Sequence, residues 1–422
     1  MVFLSHLSKY MSQKEIEALD ASLKGKSKHA LLLNTNKMSE EMLLSLFPNL
    51  TRHPIVKNGY LYDKDEYDLG KSIYHALGCF YLQEPSAMVP AFLLDPKPGE
   101  LVLDLCAAPG GKSLQASLLM NNQGLIISND LSKQRAFSIS ENAERLGRGN
   151  LLITNNDFSL IYQKYQNCFD RIILDAPCSG SGMFRKEDKM EEDWSYQKVL
   201  KFASIQKELI LMSYQMLKPG GTMVYSTCSF SYEEDEEVID YLSENTDASI
   251  IDIKDNPLFY KSNGKGIHLL PSLFPGEGHY ICLISKPGSS LNSRFEEGSN
   301  RFKVETTYKS VEKYGDYLFT MSEKINTKLL NIIRYGVKVG EVIKDEIRFD
   351  HHYAHFVDNF SKTKDISFED LIKYYQGEAL NYQTDKGYVL LRYQNINVDI
   401  AKSDGRIIKN RLPKGLRRKY TF

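Results

Sequence analysis

The chain has 422 residues, 42% of them hydrophobic, which is enough for two or three domains with their own apolar cores. Its 53 lysines and arginines and 54 aspartates and glutamates give a formal net charge of −1, which excludes a uniformly basic nucleic-acid-binding chain and confines any basic surface to a local patch. The six irregularly spaced cysteines, and the lack of a signal segment or an apolar run of about 18 residues, exclude a disulfide framework, a metal site and a membrane partner, and predict a soluble cytoplasmic protein.

Residues 1–70 are predicted to form a helical N-terminal extension. Ser12 and Ser39 each precede a helical stretch with early acidic residues, which is the pattern of a helix N-cap. The segment 49–68 is rich in Asn, Gly, Pro and Asp, so turns and a domain boundary are expected near residue 70. The extension is expected to serve either as a lid packed on the next domain or as a module that contacts RNA.

Residues 71–286 are predicted to form one α/β domain. Seven apolar stretches have strand character, and helical periodicity separates most of them. These stretches are 101–106, 125–130, 151–155, 171–175, 222–228, 249–253 and 279–285. The alternation predicts a mainly parallel sheet covered by helices on both faces, with an antiparallel strand added by the last pair.

Residues 287–422 are predicted to form a separate C-terminal region, which follows a linker at 285–300 rich in Gly, Ser and Asn. The segment 388–393 has strand character. Between residues 402 and 419, eight basic residues stand against one acidic residue. Clustered cations release counterions when they bind phosphates, so this segment predicts contact with RNA. A disordered charged end is the alternative, and the interleaved apolar residues count against it.

A glycine-rich loop, Asp104 to Ser113 with the sequence DLCAAPGGKS, follows the first predicted strand. Gly110 and Gly111 let the backbone approach a ligand closely, and the following helix offers unpaired N–H groups, so a nucleotide-like cofactor is expected here. The loop lacks the G-x-G-x-x-G pattern, which disfavours a dinucleotide and therefore an NAD oxidoreductase. A plain turn between strand and helix is the alternative.

Two acidic residues follow later strands. Asp130 ends the second strand, where doubly wound folds place an acid on ribose hydroxyls, and Asp157 follows the third, where it is expected to reach an adenine amine. Aspartates at strand ends are also common helix N-caps, so capping is the alternative for both.

Two cysteines follow the fourth and fifth strands, Cys178 in DAPCSG and Cys228 in STCS. Ligands of doubly wound sheets bind outside the carboxyl ends of the strands, so both thiols are predicted at the rim that carries the cofactor acids. If these strands are neighbours, about 4.8 Å apart, both thiols face one substrate ring, which suggests covalent chemistry by a thiol. The alternative is burial as small apolar residues, which is expected for Cys79, Cys168 and Cys282.

Two charged stretches lie near these motifs. The acidic run 233–237 is assigned no chemistry beyond a favourable interaction with a helix dipole. Arg185 and Lys186 follow the Cys178 loop and are interpreted either as a phosphate contact near the site or as a solvated pair.

Five segments carry a family resemblance, namely 81–88, 104–113, 175–186, 225–229 and 275–278. In this order they resemble the motifs of the NOP/Sun-domain RNA cytosine-5 methyltransferases. The segments 335–341 and 414–418, together with the N-terminal extension, are similar to bacterial RsmF-type ribosomal RNA methyltransferases. The resemblance implies a class I S-adenosylmethionine-dependent methyltransferase with a Rossmann-like α/β sheet, a helical N-terminal extension and a C-terminal PUA-like RNA-binding domain.

The resemblance also implies roles for the site residues. Cys228 is the nucleophile that adds to C6 of cytosine, Cys178 assists release of the enzyme from the methylated base, and Asp175 is the carboxylic acid that stabilises charge at N3. The implied cofactor is S-adenosyl-L-methionine. The residues implied to bind it are Cys106, Ala107, Ala108, Pro109, Gly110, Gly111, Lys112, Asp130, Arg135, Asp157 and Asp175.

The implied partner is RNA, with 16S ribosomal RNA or an assembling 30S particle as the preferred target and no DNA. The base must leave its stack to be reached from both faces, so single-stranded or loop RNA is the easier substrate. Two alternatives stay open. One is a transfer-RNA methyltransferase with the same chemistry, and the other is a non-catalytic RNA-binding ribosome-assembly factor on a methyltransferase scaffold.

Overall fold

The computed structural model describes residues 2–185, 192–261, 265–290, 295–298, 304, 306–308, 310–344 and 346–420. These residues form four β-sheets with helices packed around them: one sheet in the N-terminal region, a nine-stranded sheet, and two sheets in the C-terminal region. Among the helices of this part of the chain, none has both the length and the apolar composition that crossing a bilayer requires.

The N-terminal region combines short helices with a small antiparallel sheet. Its elements are α1 (Val2–Leu7), α2 (Gln13–Leu23), β1 (His29–Leu33), α3 (Glu40–Leu46), β2 (Thr51–Arg52), β3 (Gly59–Tyr62), α4 (Ile73–Ala76) and β4 (Phe80–Gln83). The strands pair antiparallel in the order β2-β3-β1-β4.

Both predicted N-caps are confirmed, because the side chain of Ser12 accepts a hydrogen bond from the backbone N–H of Glu15 and that of Ser39 from Met42. The expectation of a purely helical extension is incomplete, since it omits this sheet. The missed strand β1 is a short apolar run, and periodicity alone does not distinguish such a run from a buried helical segment. Strand β4 lies beyond the expected boundary at residue 70 and pairs with β1, so the N-terminal sheet continues to Gln83.

The next region contains the predicted alternation of strands and helices. Its elements are α5 (Val89–Leu94), β5 (Leu101–Asp104), α6 (Gly111–Leu119), β6 (Leu125–Asn129), α7 (Lys133–Leu146), β7 (Leu151–Thr154), α8 (Phe158–Lys164), β8 (Phe169–Asp175), α9 (Tyr196–Met216), β9 (Leu217–Thr227), α10 (Glu236–Asn245), β10 (Ser249–Ile251), β11 (Ile267–Leu269) and β12 (His279–Ser285).

The nine-stranded sheet is the Rossmann-like sheet that the sequence predicts. The strand order β7-β6-β5-β8-β9 is parallel throughout, and β12 continues it antiparallel beside β9. The predicted antiparallel addition at the end is therefore confirmed. Strands β8 and β9 are direct neighbours, so the segments that follow them emerge side by side at the carboxyl rim, next to the loop after β5.

The C-terminal region holds two further sheets and contributes one strand to the large sheet. Its elements are β13 (Ser310–Tyr314), β14 (Tyr317–Met321), β15 (Ile332–Tyr335), β16 (Val337–Ile343), β17 (Glu346–Phe349), α11 (His351–Ala354), β18 (Thr363–Asp365), α12 (Phe368–Tyr375), β19 (Leu380–Asn381), β20 (Gly387–Tyr393), β21 (Ile396–Ser403) and β22 (Ile407–Lys409). Strand β15 pairs antiparallel with β7, so the large sheet includes chain from beyond residue 286. The predicted strand at 388–393 lies within β20.

Candidate active site at the carboxyl rim

Cys178 and Cys228 meet at the rim of the sheet. Asp175 at the end of β8 pairs in register with Ser226 near the end of β9, so the two cysteine-bearing segments leave neighbouring strands at the same level. The two Sγ atoms lie 3.1 Å apart. A hydrogen bond with Cys228, burial and the nearby carboxylate of Glu234 raise the pKa of Cys178 well above its ordinary value. The pair can therefore present two sulfur atoms to one small ring.

Asp175 is the polar centre of the site. Its Oδ2 accepts a hydrogen bond from Nζ of Lys112 at 2.7 Å, and its Oδ1 accepts one from Oγ of Ser226 at 2.6 Å. Nε2 of His279 lies 3.8 Å from Oδ1. The Asp175 side chain keeps 31% of its surface exposed while that of Lys112 keeps 9%, so the carboxylate is the member of the ion pair that a substrate can reach.

The charges of the site favour an ionised Asp175. Burial alone would raise its pKa, but the positive charge of Lys112, then His279 and two hydrogen bonds bring the pKa of Asp175 below its ordinary value. Burial and the charge of Lys112 lower the pKa of His279, so the Lys112 ammonium is the main positive charge beside Asp175. The role at N3 that the resemblance implies for Asp175 stays a prediction, and the proton-bearing group next to this carboxylate is Lys112.

The glycine-rich loop connects β5 to α6 beside these residues. Gly110 has φ of +107°, a conformation that glycine adopts without strain, and it is the N-cap residue directly before α6. The backbone N–H of Ala107 donates to the carbonyl of Asn129 at 2.8 Å, which ties the loop to the end of β6. Burial and the neighbouring carboxylates, Asp104 first, raise the pKa of Cys106 well above its ordinary value, so this thiol is a packing group in the loop.

Asp130, which directly follows β6, and Arg135, which lies in α7, both contact the glycine-rich loop. Oδ2 of Asp130 accepts a hydrogen bond from the N–H of Ala108 at 3.2 Å, and Oδ1 accepts one from the N–H of Ser132 at 2.8 Å. The Arg135 guanidinium donates to the carbonyl of Ala108 at 2.9 Å and lies 3.5 Å from Asp130. Asp130 thus caps the turn and also sits beside the loop, so capping and ligand binding are compatible for this residue.

Asp157 adopts the capping role. It is the N-cap of α8, where its carboxylate accepts hydrogen bonds from the N–H and the Oγ of Ser159 at 2.8 and 2.6 Å. These hydrogen bonds lower the pKa of Asp157. It is exposed just beyond the end of β7, at the same rim as the other candidates.

Arg185 is a buried structural residue in this arrangement. Its Nε donates to Glu277 at 2.8 Å, and its other nitrogens donate to the carbonyls of Gly276 at 2.6 Å and Ser22 at 3.1 Å. These contacts with the protein make the predicted phosphate contact of Arg185 unsupported. Lys186 lies outside the described residues.

The basic C-terminal segment is part of the last sheet. Lys402 in β21 pairs in register with Lys409 in β22, and both are exposed, whereas Ile408 and Leu412 are buried. The burial of the interleaved apolar residues explains why this segment is ordered, so the alternative of a disordered charged end is wrong. An ordered row of exposed cations is an arrangement suited to a phosphate backbone.

Sequence reasoning missed three partners of the site residues. Lys112 was assigned to the cofactor loop but its ammonium group contacts Asp175, His279 was assigned no role, and Glu234 was treated only as part of an acidic helix start. Glu234 instead accepts hydrogen bonds from the residues that follow both cysteines. The burial of an acidic residue is the signal that identifies it, and burial becomes visible only in the fold.

Three stretches of the chain match known protein families. Residues 1–85 match the N-terminal domain of 16S rRNA methyltransferase RsmF. Residues 91–285 match the family described as 16S rRNA methyltransferase RsmB/F, and residues 361–418 match the methyltransferase RsmF PUA domain. The matches occur in the order and at the positions of the N-terminal sheet, the Rossmann-like sheet and the last sheet.

Individual relatives agree with these families. Ribosomal RNA small subunit methyltransferase F of Vibrio vulnificus is 30% identical over 92% of this chain and 90% of its own length. The tRNA (cytosine(49)-C(5))-methyltransferase of Pyrococcus abyssi is 39% identical over 54% of this chain and 77% of its own. The crystal structure of a methyltransferase homologue from Pyrococcus horikoshii has a TM-score of 0.56 and 28% identity, over 68% of this chain and 99% of that one. The predicted fold and family are thus confirmed, and the chain belongs to the RsmF family of ribosomal RNA methyltransferases.

Proposed function

We propose that this protein transfers a methyl group from S-adenosyl-L-methionine to C5 of cytosine in 16S ribosomal RNA, through a covalent bond between Cys228 and C6 of the base. The observation that carries the proposal is the 3.1 Å approach of the Cys178 and Cys228 sulfur atoms at the rim of the sheet. A pyrimidine carbon that is a poor nucleophile needs a covalent catalyst, and a thiol is suited to that role.

The residues at the rim fit S-adenosyl-L-methionine. Gly110 keeps the loop free of a side chain at the start of α6, and Oδ1 of Asp104 is buried with no hydrogen-bond partner in the described part of the chain. Asp130 would hold the ribose hydroxyls and Asp157 the adenine amine, while the backbone of the loop from Cys106 would support the remainder. When bound, the cofactor supplies an electrophilic methyl group on a sulfonium centre.

The two cysteines have separate tasks in this proposal. The Cys228 sulfur adds to C6 of the cytosine, which makes C5 electron-rich. After methylation, C5 carries one hydrogen too many, and its removal must accompany release of Cys228 from C6. As the C5 hydrogen leaves as a proton, its bonding electrons re-form the C5–C6 double bond and the C6–S electron pair departs with Cys228. Cys178 would assist that step, because its sulfur lies 3.1 Å from that of Cys228 and therefore beside the carbons at which these bonds break.

Asp175 and Lys112 would orient the base and balance its charge. An ionised Asp175 can accept a hydrogen bond from the amino group of cytosine or from a protonated N3. The Lys112 ammonium, 2.7 Å from Asp175, is the proton-bearing group next to that position. Preorganised charges in a site that excludes water act strongly on charge that develops during reaction.

The RNA target is proposed from the matched terminal domains. Both the N-terminal domain and the PUA domain matched here are described for RsmF, which favours ribosomal RNA in a 30S precursor over transfer RNA. The transfer-RNA alternative rests on the Pyrococcus abyssi relative, whose alignment with this chain covers 54% of it. Mapping 5-methylcytosine in both RNA classes, from cells with and without the gene, separates the two.

The chemistry is tested by methyl transfer from labelled S-adenosylmethionine to 16S ribosomal RNA. Replacement of Cys228 by Ser should abolish transfer, and Cys178→Ser should accumulate a covalent protein–RNA species on denaturing gels. Cys168→Ala, at a buried cysteine in the turn before β8, is the matched control and should keep activity. If Cys228→Ser instead accumulates the covalent species, the two roles are reversed, and full activity of both variants would refute the covalent route.

A further inference from the structure

Glu234 forms hydrogen bonds with both loops that carry the cysteines. Its Oε1 accepts a hydrogen bond from the backbone N–H of Ser179 at 2.7 Å, and its Oε2 accepts one from Oγ of Ser229 at 2.6 Å. Oγ of Ser179 also donates to Oε2. Ser179 and Ser229 directly follow Cys178 and Cys228 in the sequence, so one carboxylate holds the residue after each thiol.

Helix α9 strengthens the same arrangement. Nε2 of Gln206 donates to Oε1 of Glu234 at 3.2 Å and to the carbonyl of Pro177 at 2.8 Å. The hydroxyl of Tyr225 donates to the backbone carbonyl of Glu234 at 2.6 Å, which fixes the turn that carries the carboxylate. Pro177, Ser179 and Ser229 are therefore held relative to one buried group.

Burial makes these hydrogen bonds costly to break. Glu234, Ser229 and Gln206 are each 0% exposed, and Ser179 is 2% exposed. A buried carboxylate that lost its donors would pay the full cost of desolvation, so this network strongly resists a change of geometry. A surface acid at the start of a helix would have no such effect on the neighbouring loops.

We propose that Glu234 is a positioning residue that sets the separation of the Cys178 and Cys228 sulfur atoms, so that both reach the same pyrimidine. The inference rests on the proposed function for its consequence in catalysis. The geometric claim itself concerns only the two thiols, which allows it to be tested without RNA or cofactor.

The direct test measures how fast the two thiols form a disulfide. Diamide removes two electrons and two protons from the Cys178 and Cys228 thiols, forming one S–S bond and the corresponding hydrazine. The reduced full-length protein is treated with diamide, and the bond is located by mass spectrometry of alkylated peptides. Glu234→Gln should slow formation of this disulfide by about tenfold or more, because the amide offers one acceptor oxygen where the carboxylate offers two, so the donors of Ser179, Ser229 and Gln206 can no longer all be accepted.

A matched control is available on the same helix start. Glu237 forms an ion pair with Lys207 at 2.7 Å and its side chain is 41% exposed, so Glu237→Gln makes the same chemical change without touching either cysteine loop. Its disulfide rate should equal that of the unmodified protein. An unchanged rate in Glu234→Gln would overturn the proposal, as would an equal slowing in both variants.

A second set of variants separates positioning from general stability. The double variant Ser179→Ala/Ser229→Ala removes the two hydroxyl donors and keeps the carboxylate, so it should also slow formation of the Cys178–Cys228 disulfide. Adding Glu234→Gln to this double variant should slow the reaction much less than Glu234→Gln does in the natural protein. If the two effects on the rate multiply independently, Glu234 does not act through these loops. The same conclusion follows if circular dichroism shows that Glu234→Gln is unfolded while the serine variant forms the disulfide at the normal rate.

Turnover then connects positioning to catalysis. For Glu234→Gln, the kcat of methyl transfer should fall by about 10²-fold while KM for S-adenosylmethionine changes little, since a misplacement on the order of 1 Å has that effect on a reacting pair. A slowed disulfide with normal kcat would show that the thiols are positioned but that the covalent route is wrong. A normal rate of disulfide formation with a low kcat would refute the positioning role of Glu234 and leave the covalent route untouched.

Discussion

The ion pair between Arg185 and Glu277 makes the sharpest stability prediction. Arg185 and Glu277 side chains are 9% and 4% exposed, and the guanidinium also donates to the carbonyls of Gly276 and Ser22. It therefore joins three segments: the Cys178 loop, the loop before β12 and the end of α2. Arg185→Ala removes all three hydrogen bonds and takes the Arg185 cation away from the buried carboxylate of Glu277.

The expected cost is about 3–5 kcal/mol, the range for removing one partner of a buried ion pair. The double variant Arg185→Ala/Glu277→Gln should recover part of that loss, because the remaining side chain is then uncharged. An exposed pair would contribute only about 0–1 kcal/mol. The large value therefore follows from the burial of both side chains.

Urea unfolding followed by tryptophan fluorescence measures this cost. Trp194 is the single tryptophan of the chain and is buried in the apolar cluster that contains Phe3 of α1 and Phe184, next to Arg185. A loss below about 1 kcal/mol in Arg185→Ala would refute the reasoning, because it would mean that the pair behaves as a solvated one. An equal loss in the single and double variants would show that an uncompensated charge is not the cause.

Three further outcomes are expected. Burial alone would lower the pKa of His352, but the carboxylates of Asp350 and Glu144 raise it from 6.5 to about 9. The protonated imidazole therefore stabilises the fold below pH 6.5, and this stabilisation is lost as the pH rises through 9. The free energy of unfolding should fall between these pH values in the natural protein and change less in His352→Gln. Gly182→Ala places a Cβ 2.9 Å from the backbone carbonyl oxygen of Cys228, the predicted nucleophile, so methyl transfer should drop about 10²-fold. Gly70→Ala, whose added Cβ meets nothing closer than 3.8 Å, should leave the rate unchanged. Lys402→Ala and Lys409→Ala should each weaken RNA binding and reduce its logarithmic salt slope by about 1 in anisotropy titrations, and an unaltered slope would argue against phosphate contact.

The central sheet is predictable because its strands are buried on both faces. Strands β6 and β7 each begin with three apolar residues and are buried at every position, and each is followed by a helix, which is the pattern of a parallel sheet. The neighbouring positions of Cys178 and Cys228 follow from the strand order of that fold. The strands are predictable from local sequence pattern, and the positions of the two cysteines follow because parallel strands end at the same edge of the sheet.

The missed features depend on contacts between distant residues. Lys112 and Asp175 are separated by 63 positions, and Ser179 and Glu234 by 55, so no local pattern links them. The sequence predicts only a favourable helix start for the acidic run 233–237, although Glu234 and Asp235 are fully buried. The interpretation of Arg185 failed for the same reason, since its carboxylate partner comes from a loop 92 positions away.

The pairing of β15 with β7 has a consequence for how the enzyme can be dissected. Strand β7 is buried along its whole length, and β15 supplies the hydrogen bonds on its outer side. A catalytic fragment that stops at residue 286 would leave an open, mainly apolar strand whose backbone groups can recruit a second molecule. Such a truncated enzyme should self-associate, so β15, which comes from outside the catalytic region, protects the edge of the catalytic sheet.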